Sequence, residues 1–416
     1  MKFAHIADTH IGAHREPALA KLEAQAFSLA LDKCIENKVD FIVLSGDLFQ
    51  SGIPDLAAVD NAVKKMRKVH EERIPIYAIY GSHDYNPSGK SIIDILDSAG
   101  LIKRVVKGEI NENKLKLEFT IDPKTGAKLV GISARKAGLE SKYYEILDRK
   151  SLESEDGFKI FVFHSALDEF KPKHLSQMES IPISYLPKGF DYYAGGHIHK
   201  RSENKFSGYE QIVFPGTLFA SYPRDFEENA KGAQRGFYII HFDKKVEKLE
   251  FIPIVLCECT YYEYNVSNKN STQAQGELKK AIQNLNVKGK LVLLKVFGEL
   301  AGGKTSDLEF SELRRMLLDR GANYVNINRF GLSSKEYANV KVVEEDITSI
   351  ENRLFKDNIN SVKLSNKTLK DDSGVRLAHE LLKTVRQEQK IGETKKDYEA
   401  RVSEGAIKTL QLKEII

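Results

Sequence analysis

Residues 2–10 read KFAHIADTH, a short apolar run that ends in Asp8 and His10. The same arrangement, an apolar run typical of a buried strand followed directly by acidic or imidazole side chains, recurs four times along the chain. Each recurrence is a candidate ligand loop at the end of a strand. The four later motifs are Gly46-Asp47-Leu48-Phe49, Gly81-Ser82-His83-Asp84, the single His164, and Gly196-His197-Ile198-His199.

Helical patterns separate the first three of these strands. Residues 18–37 and 55–72 carry apolar side chains at helical spacing, so strands and helices alternate and predict an α/β fold. In such sheets, side chains that bind ligands gather beyond the carboxyl ends of the strands. The placement of the motifs therefore predicts that they meet at one site.

The residue types in the five motifs suit a pair of divalent cations. Two cations a few ångströms apart repel strongly, so their site needs carboxylates, ideally one that bridges both, and neutral imidazoles. Residues i and i+2 of an extended segment point the same way, so Asp8 and His10 can share one cation, as can His197 and His199. Imidazoles mixed with carboxylates favour manganese, iron or zinc over calcium.

The motifs resemble those of the metallophosphoesterase, or calcineurin-like, superfamily. Within it, the chain resembles the SbcD-like double-strand-break repair nucleases named for meiotic recombination eleven, over essentially its whole length. The resemblance includes residues 193–200, YAGGHIHK, and residues 214–217, FPGT. It implies a two-sheet sandwich flanked by helices, two Mn²⁺ per chain, and hydrolysis of DNA phosphodiester bonds. The implied activities are 3′–5′ exonuclease on duplex DNA and endonuclease on single strands.

The resemblance also assigns roles to individual positions. His83 is implied to be the catalytic residue nearest the departing oxygen. The family usually carries Asn where this chain has Ser82, and an amide oxygen is a better metal ligand than a hydroxyl, so we expect a looser second cation. The implied ligands are Asp8, His10, Asp47 and His199 for the first cation, and Asp47, His164, His197 and Ser82 for the second.

Two further domains are expected after the ligand motifs. Residues 209–216 and 235–255 predict strands that complete a second sheet and close a phosphoesterase domain over residues 1–250. Residues 251–335 then alternate strand and helix patterns in a β-α-β-α-β order. This unit resembles the cap domain that the nuclease family uses to position DNA.

The last part of the chain predicts a tethered helical hairpin. A polar linker over residues 336–372, with a short helix expected around residues 350–355, precedes two helical runs over residues 373–416, each with an apolar stripe. The stripe could fold back on the parent domain, but tethered amphipathic helices often bind a partner. The resemblance identifies that partner as a coiled-coil ABC-type ATPase. The candidate partner-binding residues are Leu377, Leu381, Val385, Tyr398, Val402 and Leu410.

Two other contacts are expected. Residues 56–69 and 91–101 carry apolar positions at helical spacing, and the resemblance implies that these helices form a homodimer, with ordinary packing on the sheet as the alternative. The net charge of +4 is too small to indicate DNA binding, so any basic surface must be local. The candidate DNA contacts are His14, Gln50, Lys90, Lys200 and Arg201.

Composition sets the remaining expectations. The 416 residues exceed one ordinary core, and no apolar run approaches the ~20 residues that span a bilayer. The chain starts with a strand pattern rather than a signal peptide, and its three cysteines are few and odd in number. We therefore expect a cytoplasmic, nucleoid-associated enzyme without membrane contact. A small-molecule phosphodiesterase on the same fold and a mainly architectural protein that tethers DNA ends remain the alternatives.

Overall fold

In a computed structural model, the chain forms two compact units, residues 1–334 and residues 335–416. The first unit contains the sheets and the ligand motifs, and the second is helical. The residues that the structure describes are 1–86, 89–135, 138–171, 179–337, 347–361, 369–390, 393 and 395–410.

The first sheet combines parallel and antiparallel strands. Its strands, in spatial order, are β14 (Val246–Pro253), β13 (Gly236–Phe242), β1 (Lys2–Ile6), β2 (Phe41–Leu44), β3 (Ile76–Ala78) and β4 (Lys103–Arg104). Strands β1 to β4 are parallel, whereas β13 runs antiparallel to both β1 and β14. The expectation that residues 235–255 complete the second sheet is therefore wrong. They extend the first sheet instead, because β1 would otherwise leave its edge N–H and C=O groups without partners.

The second sheet faces the first. Its strands, in spatial order, are β11 (Ser202–Phe206), β12 (Tyr209–Phe214), β10 (Tyr192–Gly196), β9 (Lys159–His164), β8 (Lys128–Ile132) and β7 (Thr120–Ile121). Aromatic side chains from both sheets form the shared core: the Phe3 ring stacks on Phe41 at 5.0 Å and meets Tyr192 edge-on at 5.2 Å. Burial of these rings on both inner faces holds the sheets together. A hairpin of β5 (Gly108–Asn111) and β6 (Lys114–Leu117) lies outside the two sheets.

Helices cover the outer faces of the sandwich. The helices α1 (Pro17–Glu36), α2 (Leu56–Glu71) and α3 (Ile92–Ser98) pack on the first sheet. The short helices α4 (Ser141–Glu145) and α5 (Arg149–Glu153) pack on the second. Helix α2 begins where Asp55 accepts hydrogen bonds from the backbone N–H groups of Ala57 and Ala58. The predicted two-sheet sandwich flanked by helices is confirmed.

A smaller parallel sheet follows in the first unit. It is built from β15 (Cys259–Asn265), α7 (Ser271–Gln283), β16 (Leu291–Leu300), α8 (Phe310–Asp319), β17 (Tyr324–Asn328) and β18 (Leu332–Ser334). Its helices and strands enclose a core of their own that includes Leu278, Val292 and Leu313. The helix α6 (Pro223–Ala230) lies against it, with the Phe226 ring 6.2 Å from that of Tyr324. We call this sheet and its helices the cap.

The second unit contains α9 (Ile347–Ser361), α10 (Asp371–Val385) and α11 (Lys395–Thr409). Helix α9 lies inside the segment expected to be a linker. It contacts α10, because Glu351 pairs with Arg386 at 2.6 Å and the Phe355 ring meets His379 at 4.9 Å. No helix within the described part of the chain combines the length and the hydropathy needed to cross a membrane.

Candidate metal centre

The ligand motifs lie where strands of the two facing sheets end. Asp8 follows β1, Asp47 follows β2, and His197 follows β10, each after a turn of the chain out of its strand. These three residues and His10 adopt left-handed backbone conformations, with φ of 51°, 51°, 87° and 45° for Asp8, Asp47, His197 and His10. Non-glycine residues rarely adopt this region, and such strain concentrates at functional sites.

Two glycines make room for these ligands. A Cβ atom on Gly81 would lie 2.0 Å from Oδ1 of Asp47, which is far below contact distance. A Cβ atom on Gly46 would lie 2.5 Å from Nδ1 of His164, and Gly46 has a φ of +86°. Only glycine fits such close approaches, so the glycines of the second and third motifs are required by the packing of the site.

The structure brings the predicted ligands together in overlapping groups. In each group the candidate ligand atoms lie within 4.8 Å of one another. The groups share Asp47 or His10, so the cluster is continuous. Its three groups are Asp8 with His10 and His199, Asp47 with His164 and His197, and His10 with Asp47 and His83.

Three histidines are oriented by acceptors outside the cluster. His10 donates from Nδ1 to Oε1 of Gln50 at 2.8 Å. His164 and His199 donate from Nδ1 to the carbonyl of Ser45 at 2.7 Å and to Oδ2 of Asp225 at 3.1 Å. A nitrogen that donates in this way fixes the tautomer, so each neutral imidazole presents the lone pair of Nε2 to the cluster.

The facing Nε2 atoms fit a bound cation. Nε2 of His10 lies 3.0 Å from Nε2 of His199, so each ring in its neutral form would direct a lone pair at the same point. Nε2 of His164 is buried, lies 3.1 Å from Oδ2 of Asp47, and makes no hydrogen bond. Burial lowers the pKa of His10 to about 3 and that of His197 to about 4, which keeps both rings neutral, as metal ligands must be.

The two carboxylates lie at the centre of the cluster and are almost fully buried. Asp8 accepts the backbone N–H of His197 at 2.9 Å, and Asp47 accepts that of His83 at 2.8 Å. Burial opposes ionisation of Asp47, but the neighbouring His164 and His10 hold its pKa below the ordinary range. A buried carboxylate that stays ionised is the group that two adjacent cations require.

His83 lies on the rim of the cluster. Its Nδ1 donates to the carbonyl oxygen of Gln50 at 2.8 Å, and its Nε2 lies 3.3 Å from the hydroxyl of Tyr222. The His83 ring meets the His10 ring edge-on at 4.9 Å. His83 is therefore held next to the ligand groups, with Nε2 as its free ring nitrogen in the neutral form.

Sequence reasoning missed Asp225 and its partner Arg235. Asp225 accepts hydrogen bonds from the backbone N–H groups of Ser221 and Tyr222, both at 3.0 Å, in addition to that from His199. Burial opposes its ionisation, but the hydrogen bond from His199 and the charge of Arg235 lower its pKa to about 2. In the sequence, Asp225 has the spacing of a residue that caps the start of a helix, and it does cap α6. The sequence therefore contains no separate sign that Asp225 also binds His199.

Ser82 lines the same cavity as two ligands of the second group, His164 and His197. A cavity of about 570 Å³ adjoins the cluster, and Ser82, His164 and His197 are among the residues that line it. Arg135 and Glu140 line it as well, so the cavity is polar and charged. It provides space for a substrate next to Nε2 of His164.

The candidate DNA contacts differ in their surroundings. Lys90, Lys200 and Arg201 are exposed, and the Arg201 guanidinium lies 4.2 Å from the centre of the Phe251 ring. His14 donates from Nε2 to the carbonyl of Ala220 at 2.7 Å and packs against two phenylalanine rings. The His14 ring therefore packs within the protein. Gln50 is engaged as well, because its side chain orients His10.

Comparison with known proteins places the site in context. The sequence profile of the calcineurin-like phosphoesterases matches residues 1–201, which contain all of the ligand motifs. A dimetal phosphatase from Danio rerio superposes on 61% of this chain and 99% of its own, with a TM-score of 0.39 and 11% identity. The profile match implies a dimetal centre.

Three archaeal proteins named DNA double-strand break repair protein Mre11 are similar in sequence. The Methanocaldococcus jannaschii protein is 31% identical over 297 residues, which are 65% of this chain and 71% of that protein. The Methanococcus maripaludis protein is 29% identical over 71% of this chain and 77% of its own length. The Archaeoglobus fulgidus protein is 31% identical over 52% of this chain, and the match spans only half of its length.

Asp225→Asn should weaken cation binding at the group that contains His199, because the neutral amide no longer polarises the imidazole. Loss of such an outer partner lowers metal affinity by roughly 10-fold to 100-fold. Titration of the metal-free protein with Mn²⁺ in a calorimeter measures the change. Glu228→Gln is the matched control, since Glu228 contacts Arg235 from the same helix but not His199. Equal affinities in the two variants would contradict the role of Asp225.

Proposed function

The chain belongs to the Mre11 family of DNA double-strand break repair proteins, and on this premise we propose that it is a Mn²⁺-dependent DNA nuclease. It would act as a 3′–5′ exonuclease on duplex DNA and as an endonuclease on single strands. The observation that carries the proposal is the continuous cluster that includes Asp8 and Asp47, in which Nε2 atoms of His10, His164 and His199 face inward. A cluster of this composition attracts divalent cations and, once they are bound, an anionic phosphodiester.

In this proposal Asp8, Asp47 and the inward-facing histidines hold two cations, which supply Lewis acidity toward the phosphodiester. Asp47 belongs to the group with His10 and to the group with His164 and His197, and its buried charge would offset the repulsion between the cations. Ser82 would complete the group of His164 and His197 through a neutral hydroxyl. We propose that the cation beside Ser82 is the weaker one, and the Mn²⁺ titration described above measures both affinities.

His83 is the proposed general acid. Its Nδ1 donates to the Gln50 carbonyl, which can only accept, so a proton for transfer must be carried at Nε2. Nε2 is the nitrogen on the side of Tyr222 rather than of the protein interior. From there it would protonate the departing sugar oxygen, a role that typically contributes about 10²-fold to 10⁴-fold in rate.

His83→Gln should retain Mn²⁺ and DNA binding but lose cleavage by about 10²-fold or more, because Gln cannot supply a proton. Asp47→Asn should instead lose cation binding and activity together, because the central buried charge is removed. Calorimetric Mn²⁺ titration and release of nucleotides from linear duplex DNA separate the two effects. Loss of cation binding in His83→Gln, or near-normal turnover in Asp47→Asn, would refute these roles.

One comparison tests the function as a whole. The wild-type chain is assayed on linear duplex DNA and on a small chromogenic phosphodiester, each with Mn²⁺ and with a chelator. Mn²⁺-dependent release of nucleotides from DNA supports the nuclease. Hydrolysis of the small diester alone would indicate a small-molecule phosphodiesterase, and DNA binding without cleavage would indicate an architectural protein.

The exposed Lys90, Lys200 and Arg201 are the proposed contacts to DNA phosphates. Cleavage of DNA would require these contacts, whereas hydrolysis of the small diester would not.

We propose that the chain forms a homodimer through α2 and α3. Met66, Ile93 and Leu96 are buried against the first sheet, so they are not available for such a contact. Leu56 and Ile95, by contrast, are 78% and 60% exposed. Apolar side chains exposed on these two helices fit a contact with a second copy of the chain.

The double variant Leu56→Glu with Ile95→Glu should be monomeric, since it places like charges at a self-complementary contact. Size-exclusion chromatography with light scattering measures the mass of the assembly. Leu318→Glu is the control, because Leu318 is a partly exposed leucine of the cap. A double variant with the same mass as the wild type would exclude this interface.

The apolar stripe of α10 and α11 is the proposed contact for a coiled-coil ABC-type ATPase. Val385 is 46% exposed, and Leu377, Leu381, Tyr398, Val402 and Leu410 are only partly buried. Among the side chains beyond residue 334 whose burial the structure describes, no apolar one is fully buried. A partner that covers the stripe would bury apolar surface and so stabilise the helices.

Leu377→Asp with Leu381→Asp should abolish co-elution with the purified ATPase, because the charged groups would have to be desolvated in the interface. Lys383→Ser, an exposed position of the same helix, serves as the control and should bind normally. Binding by the aspartate variant equal to that of the wild type would place the contact elsewhere.

A further inference from the structure

Tyr222 lies between two histidines of the cluster. Its hydroxyl is 3.3 Å from Nε2 of His83, and its ring stacks on that of His199, with the centroids 5.3 Å apart and the planes 20° from parallel. It also meets the His10 ring edge-on at 5.9 Å. One side chain therefore contacts the proposed general acid and two of the candidate metal ligands.

The hydroxyl of Tyr222 faces the side of His83 that the rest of the protein leaves open. The backbone N–H of His83 is bound by Asp47 and its Nδ1 by the Gln50 carbonyl. Within the described residues, the Tyr222 hydroxyl is the one hydrogen-bonding group found at Nε2. A phenol hydroxyl can both donate and accept a hydrogen bond, so it is a suitable partner for this ring nitrogen.

Tyr222 is itself held firmly. It precedes α6, and its backbone N–H donates to Oδ2 of Asp225 at 3.0 Å, the same oxygen that accepts from His199. Nε2 of Gln50 lies 3.5 Å from the Tyr222 hydroxyl, at the outer limit of a hydrogen bond. Asp225 and Gln50 thus fix Tyr222 relative to the ligands His199 and His10.

Helix α6 also carries the contacts between the site and the cap. Asn328 of the cap donates to Oε1 of Glu227 at 2.6 Å, and the Phe226 ring packs near Tyr324. Glu227 and Phe226 lie within five residues of Tyr222. An α-helix rises only ~1.5 Å per residue, so the cap contacts lie less than about two helical turns from the metal centre.

We propose that Tyr222 is a positioning residue of the reaction: its hydroxyl holds Nε2 of His83 at the open side of the metal centre, and α6 fixes Tyr222 against the cap. The inference rests on the proposed nuclease function and on His83 as its acid. It assigns no proton transfer to the tyrosine. The ring of Tyr222 orders His199 by stacking, and its hydroxyl orders His83 by hydrogen bonding, so the two contributions can be separated by substitution.

The test compares Tyr222→Phe with Tyr222→Ala in the release of nucleotides from linear duplex DNA, whose departing sugar oxygen needs a proton. The phenylalanine variant keeps the stacked ring and loses the hydroxyl, so kcat should fall about 10-fold while KM and Mn²⁺ affinity stay within about twofold of the wild type. The alanine variant loses both contacts, so its Mn²⁺ affinity should fall as well. Tyr209→Phe is the control, a buried tyrosine in the core of the second sheet whose hydroxyl contacts the Leu186 carbonyl, and it should match the wild type.

A double variant decides whether the hydroxyl acts through His83. In a His83→Gln background, Tyr222→Phe should cause no further loss of kcat, because the group that it positions is gone. Losses that multiply in the double variant, or an unchanged kcat in Tyr222→Phe alone, would overturn the proposal. Both results require a wild type that releases nucleotides from DNA with Mn²⁺; a wild type that cleaves no DNA would refute the proposed function instead.

Discussion

The buried carboxylate of Asp47 is the group on which the arrangement of the site depends. It is 1% exposed, and it is approached by Nε2 of His164 at 3.1 Å, Nε2 of His10 at 3.7 Å and the N–H of His83 at 2.8 Å. A charge removed from water must be compensated by nearby groups. The groups that compensate Asp47 follow or end other strands, so β1, β3 and β9 must all end close to the end of β2. These strands belong to both sheets. The site therefore requires the two sheets to be closed on each other, and the aromatic core between them meets that requirement.

The clustering of the candidate ligands could be predicted because each of them is adjacent in sequence to the strand that places it. An apolar run followed by an aspartate or a histidine is a local signal, and parallel strands bring such ends together without any further information. Gln50, Tyr222 and Asp225 are different. Asp225 reaches His199 across 26 residues, and Gln50 reaches His10 across 40, so their contacts exist only once the chain has folded. The spacing of apolar residues along the sequence contains no information about such pairs.

The same distinction explains the strands that were assigned to the wrong sheet and the helix that was expected to be shorter than it is. Residues 235–255 showed strand patterns, but the choice of sheet depends on which edge is open, and β1 offers its edge to β13. Helix α9 occupies a polar segment because its support comes from α10, through Glu351 with Arg386 and Phe355 with His379. In both cases the local propensity was weak or ambiguous, and a distant partner decided the outcome. The cap strands were predictable because alternation within residues 259–328 is local.

Backbone strain in the ligand motifs links cation binding to the stability of the fold. Four residues of the ligand motifs hold positive φ, and each such residue costs about 1–3 kcal/mol unless its surroundings favour it, with aspartate and histidine at the lower end. The cost is met by neighbours that fix these turns from outside: Asp84 binds the N–H groups of Leu48 and Gly81, and Arg235 donates to the carbonyl of His199. Cation binding adds a second compensation, because it draws together the lone pairs and carboxylates that otherwise repel. Occupancy of the centre and stability of the fold are thus linked, since a ligand that binds only the folded state stabilises it.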